Sequence, residues 1–373
     1  MSRIEVSEVR SGQERDAFIK FPWRIYKSDT AWVPPLIIER KAFLDRKRHP
    51  FYKHGDAALF LARRDGEIVG RIMASDDPNY NSLHQTNVGC FGLFESIDDV
   101  DVAAALFDAA ATWVRARGRS ELMGPIDYST NYVCGLLIDG FAHPPAVLTA
   151  YNPQYYPRLC EQCGFVKEKD WYAWWFSEVE RPTERLRKIV NGRAAKHGIK
   201  IRPIDPKNLT TESQRIRTVF NQAWQNNWGF VPFTHAEAEY MAKEMRFLIV
   251  RRATLIAESD GLPIGFVITV PDIHIALRRM NGRLTWFGLP VGLLKLIYYR
   301  FTLRTARMVA LGVIEQYRRA GVAEALVLRQ FEAGFNTGEC SMTLEDNVMV
   351  NRFIEAVGAK RYKTFRIYAK SLP

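Results

Sequence analysis

The residues best suited to chemistry lie in one turn, Gln316-Tyr317-Arg318-Arg319-Ala320-Gly321-Val322-Ala323. The apolar run before it, Met308 to Ile314, reads as a buried strand. After Gly321, apolar residues fall at Val322, Ala325, Leu328, Phe331 and Phe335, three or four apart as on one helix face. The order is strand, basic turn, helix. A helix start carries unpaired N–H groups and a partial positive charge, and a glycine lets the backbone come close. Two arginines beside such a glycine suit a pyrophosphate.

This turn resembles the cofactor loop of the GNAT N-acetyltransferase superfamily, Arg/Gln-x-x-Gly-x-Gly/Ala between a strand and a helix, which Arg318, Gly321 and Ala323 match. The resemblance continues through the expected strand Ser341 to Leu344, the asparagine Asn347, the apolar Phe353 and the glycine Gly358. Val350 and Ala359 depart from the family's alanine and phenylalanine, and Ile354 stands where many members carry a tyrosine general acid. The resemblance implies acetyl-CoA, or another acyl-CoA, as co-substrate. Leu311, Gly312 and Val313 would run along the pantetheine arm, Arg318, Arg319, Ala320, Gly321, Val322 and Ala323 would hold the pyrophosphate, and Asn347 would touch the arm. An amine would then attack the thioester directly, aided by a base and a proton donor. Glu315, in the same alternation as Leu311 and Val313, is the first candidate base and Glu345 the second; Tyr317, Tyr362 and Tyr368 are candidate acids.

The elements that must position these residues occur twice. Asp65-Gly66 with Gly70 and Asp77 recurs as Asp260-Gly261 with Gly265 and Asp272, each a hairpin turn between two apolar strands. Ile4-x-Val6 recurs as Ile199-x-Ile201, and Asn152 to Gly164 corresponds to Asn347 to Gly358. The reading is an α/β (α+β) chain of two tandem GNAT-like domains, 1–180 and 181–373, with a boundary near 177–198. Each is expected to be a mixed, mostly antiparallel, splayed sheet flanked by helices. At 373 residues each copy can bury its own core.

The copies differ where the cofactor would sit. In the first, Glu95, Asp98, Asp99 and Asp101 stand where the second has its arginines, between the strand Val88 to Phe94 and a helix from Val102. Acidic residues suit a helix N-terminus and repel a diphosphate, so one CoA per chain is expected, in residues 199–373. The first copy instead passes from Gly118 to Asn152 through an insertion, where the second runs directly from Gly338 to Asn347. The insertion is read as part of an acceptor pocket, with Tyr128, Asn131 and Tyr132 facing the thioester, or as a capped loop.

Composition bounds the rest. Five cysteines and no basic-then-apolar leader point to a cytoplasmic enzyme. The apolar stretch Leu284 to Phe301 is broken by Gly288, Pro290, Gly292 and Lys295; it reads as a buried or interfacial insertion and not as a span. Net charge is +11, and Arg181, Arg185, Arg187, Lys188, Arg193, Lys196, Lys200 and Arg202 cluster, with Leu186, Ile189, Val190 and Ala194 turned inward as on a solvated helix. No nucleic-acid signature accompanies them, so the expected partner is a small-molecule or peptide amine. Cys160-x-x-Cys163 lacks a second pair at metal spacing, the histidines form no i, i+4 pair, and no metal is implied. Two alternatives stay open: an aminoacyl-tRNA-dependent transferase of tandem GNAT-like type, which would use the positive charge, and a non-catalytic acyl-CoA-binding protein. Oligomeric state is not legible.

Overall fold

The two Asp-Gly turns are built alike. Asp65 and Gly66 have φ of 52° and 82°, Asp260 and Gly261 of 50° and 77°. Two consecutive positive φ values match the right-handed twist of a tight hairpin, and Asp-Gly reaches them at low steric cost. The computed structural model describes residues 3–177, 183–192, 198–285, 289–335 and 337–373. Arg181, Arg193, Ala194, Lys196 and Gly288, all named above, lie outside them.

The strands are β1 (Ile4–Glu8), β2 (Asp56–Arg64), β3 (Glu67–Asp76), β4 (Val88–Ser96), β5 (Glu121–Gly124), β6 (Leu136–Asp139) and β7 (Val166–Phe176), then β8 (Lys200–Pro203), β9 (Thr254–Ser259), β10 (Leu262–Pro271), β11 (Thr305–Val313), β12 (Thr337–Leu344) and β13 (Lys360–Ser371). The chain divides into two units. Unit 1 is 1–171 with 277–289 and 363–373; unit 2 is 172–276 with 290–362. Two continuous domains, 1–180 and 181–373, were the expectation, and the division differs from it. The last residues of the chain pack in unit 1, where Tyr368 pairs with Gly124 and Ser371 with Glu121, and Tyr368 joins the core. Residues 172–176 pack in unit 2, where the Trp174 indole N–H donates to the Thr343 hydroxyl at 2.8 Å. Strand pairing is a long-range choice that the repeat in the sequence does not encode.

Within unit 1 the strand order is β1-β2-β3-β4-β5-β13, with β6 also on β13; within unit 2 it is β7-β12-β11-β10-β9-β8. The pairings of β1 with β2, β2 with β3, β3 with β4, β5 and β6 with β13, β8 with β9, β9 with β10 and β10 with β11 are antiparallel, and those of β4 with β5 and β11 with β12 are parallel. Both parallel pairs are short. β5 follows β4 only over Val88–Cys90, and β12 follows β11 only over Thr305–Met308. Beyond those points each strand leaves its neighbour, aided by a bulge: β3 against β4 shifts between Arg71 and Met73, and β10 against β11 shifts between Ile268 and Thr269. A splay therefore opens beside the C-terminal half of β4 and of β11.

A helix follows each splayed strand, Val100–Arg115 in unit 1 and Val322–Glu332 in unit 2. Val102, Leu106, Phe107, Ala110 and Val114 bury one face of the first, and Val322, Ala325, Leu326 and Leu328 do so in the second. In unit 2 the helix Thr183–Gly192 adds Leu186 to the same core, with Val190 against it.

Candidate active site

In unit 2, Leu311, Gly312 and Val313 form the end of β11, past its last pairing with β12. Gly312 is required there, because a Cβ would come within 2.2 Å of the Trp224 ring. One short 3₁₀ turn, Glu315–Tyr317, carries the chain to Arg318. Gly321, at φ 80°, then starts the helix Val322–Glu332 with no side-chain cap. The left-handed conformation suits glycine, and the uncapped first turn leaves its amides for another acceptor. Arg318 and Arg319 are exposed beside it. Arg318 also closes a neighbouring helix. Its Nη2 donates at 2.9 Å to the carbonyl of Ala223, the last residue of the helix Leu209–Ala223, where a cation meets the negative helix end.

The other residues expected at the site are placed as follows. Glu315 is exposed on the turn, and Glu345 is half-buried just after β12. The Asn347 carboxamide oxygen caps the helix Val348–Ala356, accepting from the Val350 amide at 3.4 Å. Tyr317 is half-buried and packs on the unit 2 core. Tyr368, a candidate acid, lies instead in unit 1, where its hydroxyl donates to Glu161 at 3.0 Å. Tyr362 donates its hydroxyl to Glu339. Burial first, and then the Glu339 charge, push its pKa far above the usual phenol range.

Glu339 is the centre of a cluster that the sequence reading missed. It is 1% exposed, pairs across β11 and β12 with Arg307 at 3.2 Å, and accepts from Ser341 and Tyr362. Arg307 Nε also donates to the Ser341 hydroxyl at 2.9 Å. Two charged residues inside otherwise uncharged strands were the available signal. Buried charges persist when they are paired and fully hydrogen-bonded.

Unit 1 treats the equivalent space differently. The Asp99 carboxylate caps the helix Val100–Arg115, accepting from Asp101 N at 2.9 Å and Val102 N at 3.4 Å, and it pairs with Arg64 at 2.7 Å. Asp98 pairs with Arg158. Glu95, expected in the acidic loop, is buried instead and accepts from Tyr26 at 2.9 Å and Tyr156 at 2.7 Å; burial raises its pKa against the Arg71 charge. The insertion occupies the splay itself. The Ile126 amide donates to the Phe91 carbonyl at 2.7 Å, and the Leu93 amide to the Asp127 carboxylate at 3.0 Å, along the part of β4 that β5 has left. A Cβ on Gly92 would come within 2.4 Å of the Ile126 carbonyl, so the contact is close. Tyr128, expected to face a thioester, is corrected to a core residue. It is 0% exposed, donates to the Phe43 carbonyl at 2.9 Å, and stacks on Phe51. Tyr132 is half-buried against His49, and Asn131 sits half-buried on the same loop.

Among the described residues, no group of three or more His, Cys, Asp or Glu side chains could hold a metal ion, and no helix is long and apolar enough to cross a membrane. Cys160 is buried and Cys163 half-buried, both as free thiols.

Two units, each with a strand splayed after a short parallel pair and followed by a helix, define a tandem GNAT fold. A solved tandem GNAT protein from the clavulanic acid biosynthesis pathway matches 99% of this chain and 98% of its own, with a TM-score of 0.59 and 12% identity. Two sequence relatives are nearer. Protein YghO of Escherichia coli is 35% identical over 95% of this chain and 92% of its own length. The bacterial ceramide synthase of Caulobacter vibrioides is 34% identical over 99% of this chain and 98% of its own. The chain belongs to the family that includes these two proteins. No protein-family model matches it.

Proposed function

We propose that the chain is an acyl-CoA-dependent N-acyltransferase whose acceptor is the amine of a long-chain amino alcohol and whose donor is a long-chain acyl-CoA. The observation that carries this reading is the full-length similarity to a protein named a ceramide synthase, since a ceramide is the amide of such an amine with a fatty acid. Unit 2 supports the donor half with the uncapped turn at Gly321, flanked by Arg318 and Arg319 at the end of a splayed strand. The pyrophosphate would take the free amides of that turn and the Arg319 charge, with Arg318 shared between phosphate and the Ala223 carbonyl. The pantetheine arm would run along Leu311 to Val313. The acetyl donor suggested by the general resemblance becomes the alternative outcome of the test.

In the reaction the neutral amine attacks the thioester carbonyl. A C–N bond forms, the C–S bond breaks, and the amine proton passes through a base to the departing sulfur, so that CoA leaves as the thiol. Glu315 remains the candidate base because it follows the open edge of β11 directly. The experiment is acyl transfer with a matrix of acyl-CoA chain lengths and amines, reading free thiol and amide mass. The expected result is amide from long-chain acyl-CoA and a long-chain amino alcohol. Turnover confined to acetyl-CoA and small amines would overturn the acceptor reading, and no thiol release with any pair would overturn the activity.

A further inference from the structure

The helix Val291–Thr302 in unit 2 is turned the wrong way round for a globular protein. Val291, Leu294, Ile297, Tyr298 and Phe301 recur at helical spacing on one face, a stripe that normally packs inward. Here all five are exposed, with Leu294 at 62%, Tyr298 at 63% and Phe301 at 70%. Single exposed apolar residues are ordinary, whereas a contiguous stripe marks an interaction surface.

Charge indicates what covers it. From Ile273 to Ile314 the chain contains no Asp or Glu, while Arg278, Arg279, Arg283, Lys295, Arg300, Arg304 and Arg307 fall in the same stretch. Arg307 is committed to Glu339. Lys295 on the helix and Arg304 just beyond it are exposed. An apolar face with cations alongside, in a stretch of sequence without a carboxylate, is complementary to a surface that is apolar beneath and anionic on top. A second copy of this chain on the same face would set these cations against their own kind, which disfavours self-association there.

We propose that this helix docks the protein onto an anionic lipid bilayer, lying in the headgroup layer with Leu294, Ile297, Tyr298 and Phe301 inserted and Lys295 and Arg304 against phosphate. At twelve residues it lies on the membrane and does not span it. The inference goes beyond the proposed reaction and does not depend on it.

The test is flotation of the full chain with vesicles of phosphatidylcholine mixed with phosphatidylglycerol, against phosphatidylcholine alone. Partition onto the anionic vesicles is expected to exceed that onto neutral ones by about tenfold and to fall with added salt. Leu294→Asp with Tyr298→Asp should lower partition by about tenfold or more with an unchanged circular dichroism spectrum. Leu294→Ser with Tyr298→Ser is the milder pair if the first fails to fold. Lys295→Glu with Arg304→Glu should abolish the preference for anionic vesicles. Absence of binding by the wild type, or binding untouched by the apolar substitutions, would overturn the proposal. So would a wild-type dimer that becomes a monomer on Leu294→Asp with Tyr298→Asp, since a second copy would then cover the face. Vesicle binding is read without turnover, so its failure and failure of the acyl-transfer reading are separate results.

Discussion

Unit 1 and unit 2 reach the same backbone situation, a helix starting just after a strand that has left its parallel neighbour, and they complete it with opposite chemistry. In unit 1 the Asp99 carboxylate fills the helix N-terminus and Ile126 and Asp127 fill the splay. In unit 2 the helix begins at Gly321 without a cap, and among the described residues β12 pairs with β11 no further than Met308. Duplication therefore reproduced the geometry of an anion site in both places. Which copy can accept an anion is decided by whether the chain has already supplied one. The acidic loop does more than repel a diphosphate, because Asp99 occupies the amides a diphosphate would need.

The comparison extends to the buried carboxylates. Both face a buried guanidinium, Glu339 that of Arg307 at 3.2 Å and Glu95 that of Arg71 at 3.5 Å, and Glu95 accepts in addition from the Tyr26 and Tyr156 hydroxyls. Glu339→Ala should therefore destabilise the protein by about 3 to 5 kcal/mol, since it leaves Arg307 buried without its counter-charge. Glu95→Gln should cost less, about 1 to 3 kcal/mol, as the amide oxygen still accepts from a tyrosine and Arg71 keeps its bond to the Phe18 carbonyl while losing its counter-charge. Denaturant unfolding of both variants checks this, and equal losses would remove the distinction.

Arg318→Glu with Arg319→Glu comes next. CoA affinity should fall about 100-fold, equivalent to about 2.7 kcal/mol, in calorimetric titration. Arg319→Glu alone is the cleaner probe, because Arg318 also closes the helix ending at Ala223. Native mass spectrometry should count one CoA per chain; two would mean that the plugged splay of unit 1 still admits a cofactor. Asp99→Ala is the smaller counterpart in unit 1. It should lower stability by about 1 to 2 kcal/mol through loss of the cap and leave CoA affinity unchanged. A changed affinity would mean that the acidic loop takes part in binding.

The smallest effect is a pH dependence in the unit 1 plug. Burial raises the Asp127 pKa to about 6 from an ordinary 3.8. Between those values the folded protein holds a proton that the unfolded chain has released, so this group's contribution to stability falls as pH rises through the window and is gone above it. His49, lowered to about 3 by burial, slopes the opposite way over much of the same range. The quantity to measure is therefore the difference in melting between wild type and Asp127→Asn. Stability of wild type relative to the variant should decline from about pH 4 to about pH 6; a constant difference would show that Asp127 is ionised throughout.

What the sequence determined by itself was short-range. The Asp-Gly turns, the glycine that opens the Val322–Glu332 helix, the cap of the Val100–Arg115 helix and the duplication were all legible, because each depends on backbone preferences and spacings within a few residues. Only the tertiary structure decided the rest. It brought residues 363–373 into unit 1 and 172–176 into unit 2, laid Ile126 and Asp127 along β4, and buried Tyr128 against Phe51. Arg307 and Glu339 are separated in the chain, and each reads like a solvent-facing strand residue until the register of β11 on β12 sets them opposite one another. The outward stripe on the Val291–Thr302 helix has the same origin: the 3.6-residue period predicts an apolar face, and only the packing of the other elements shows that no core of the described chain receives it.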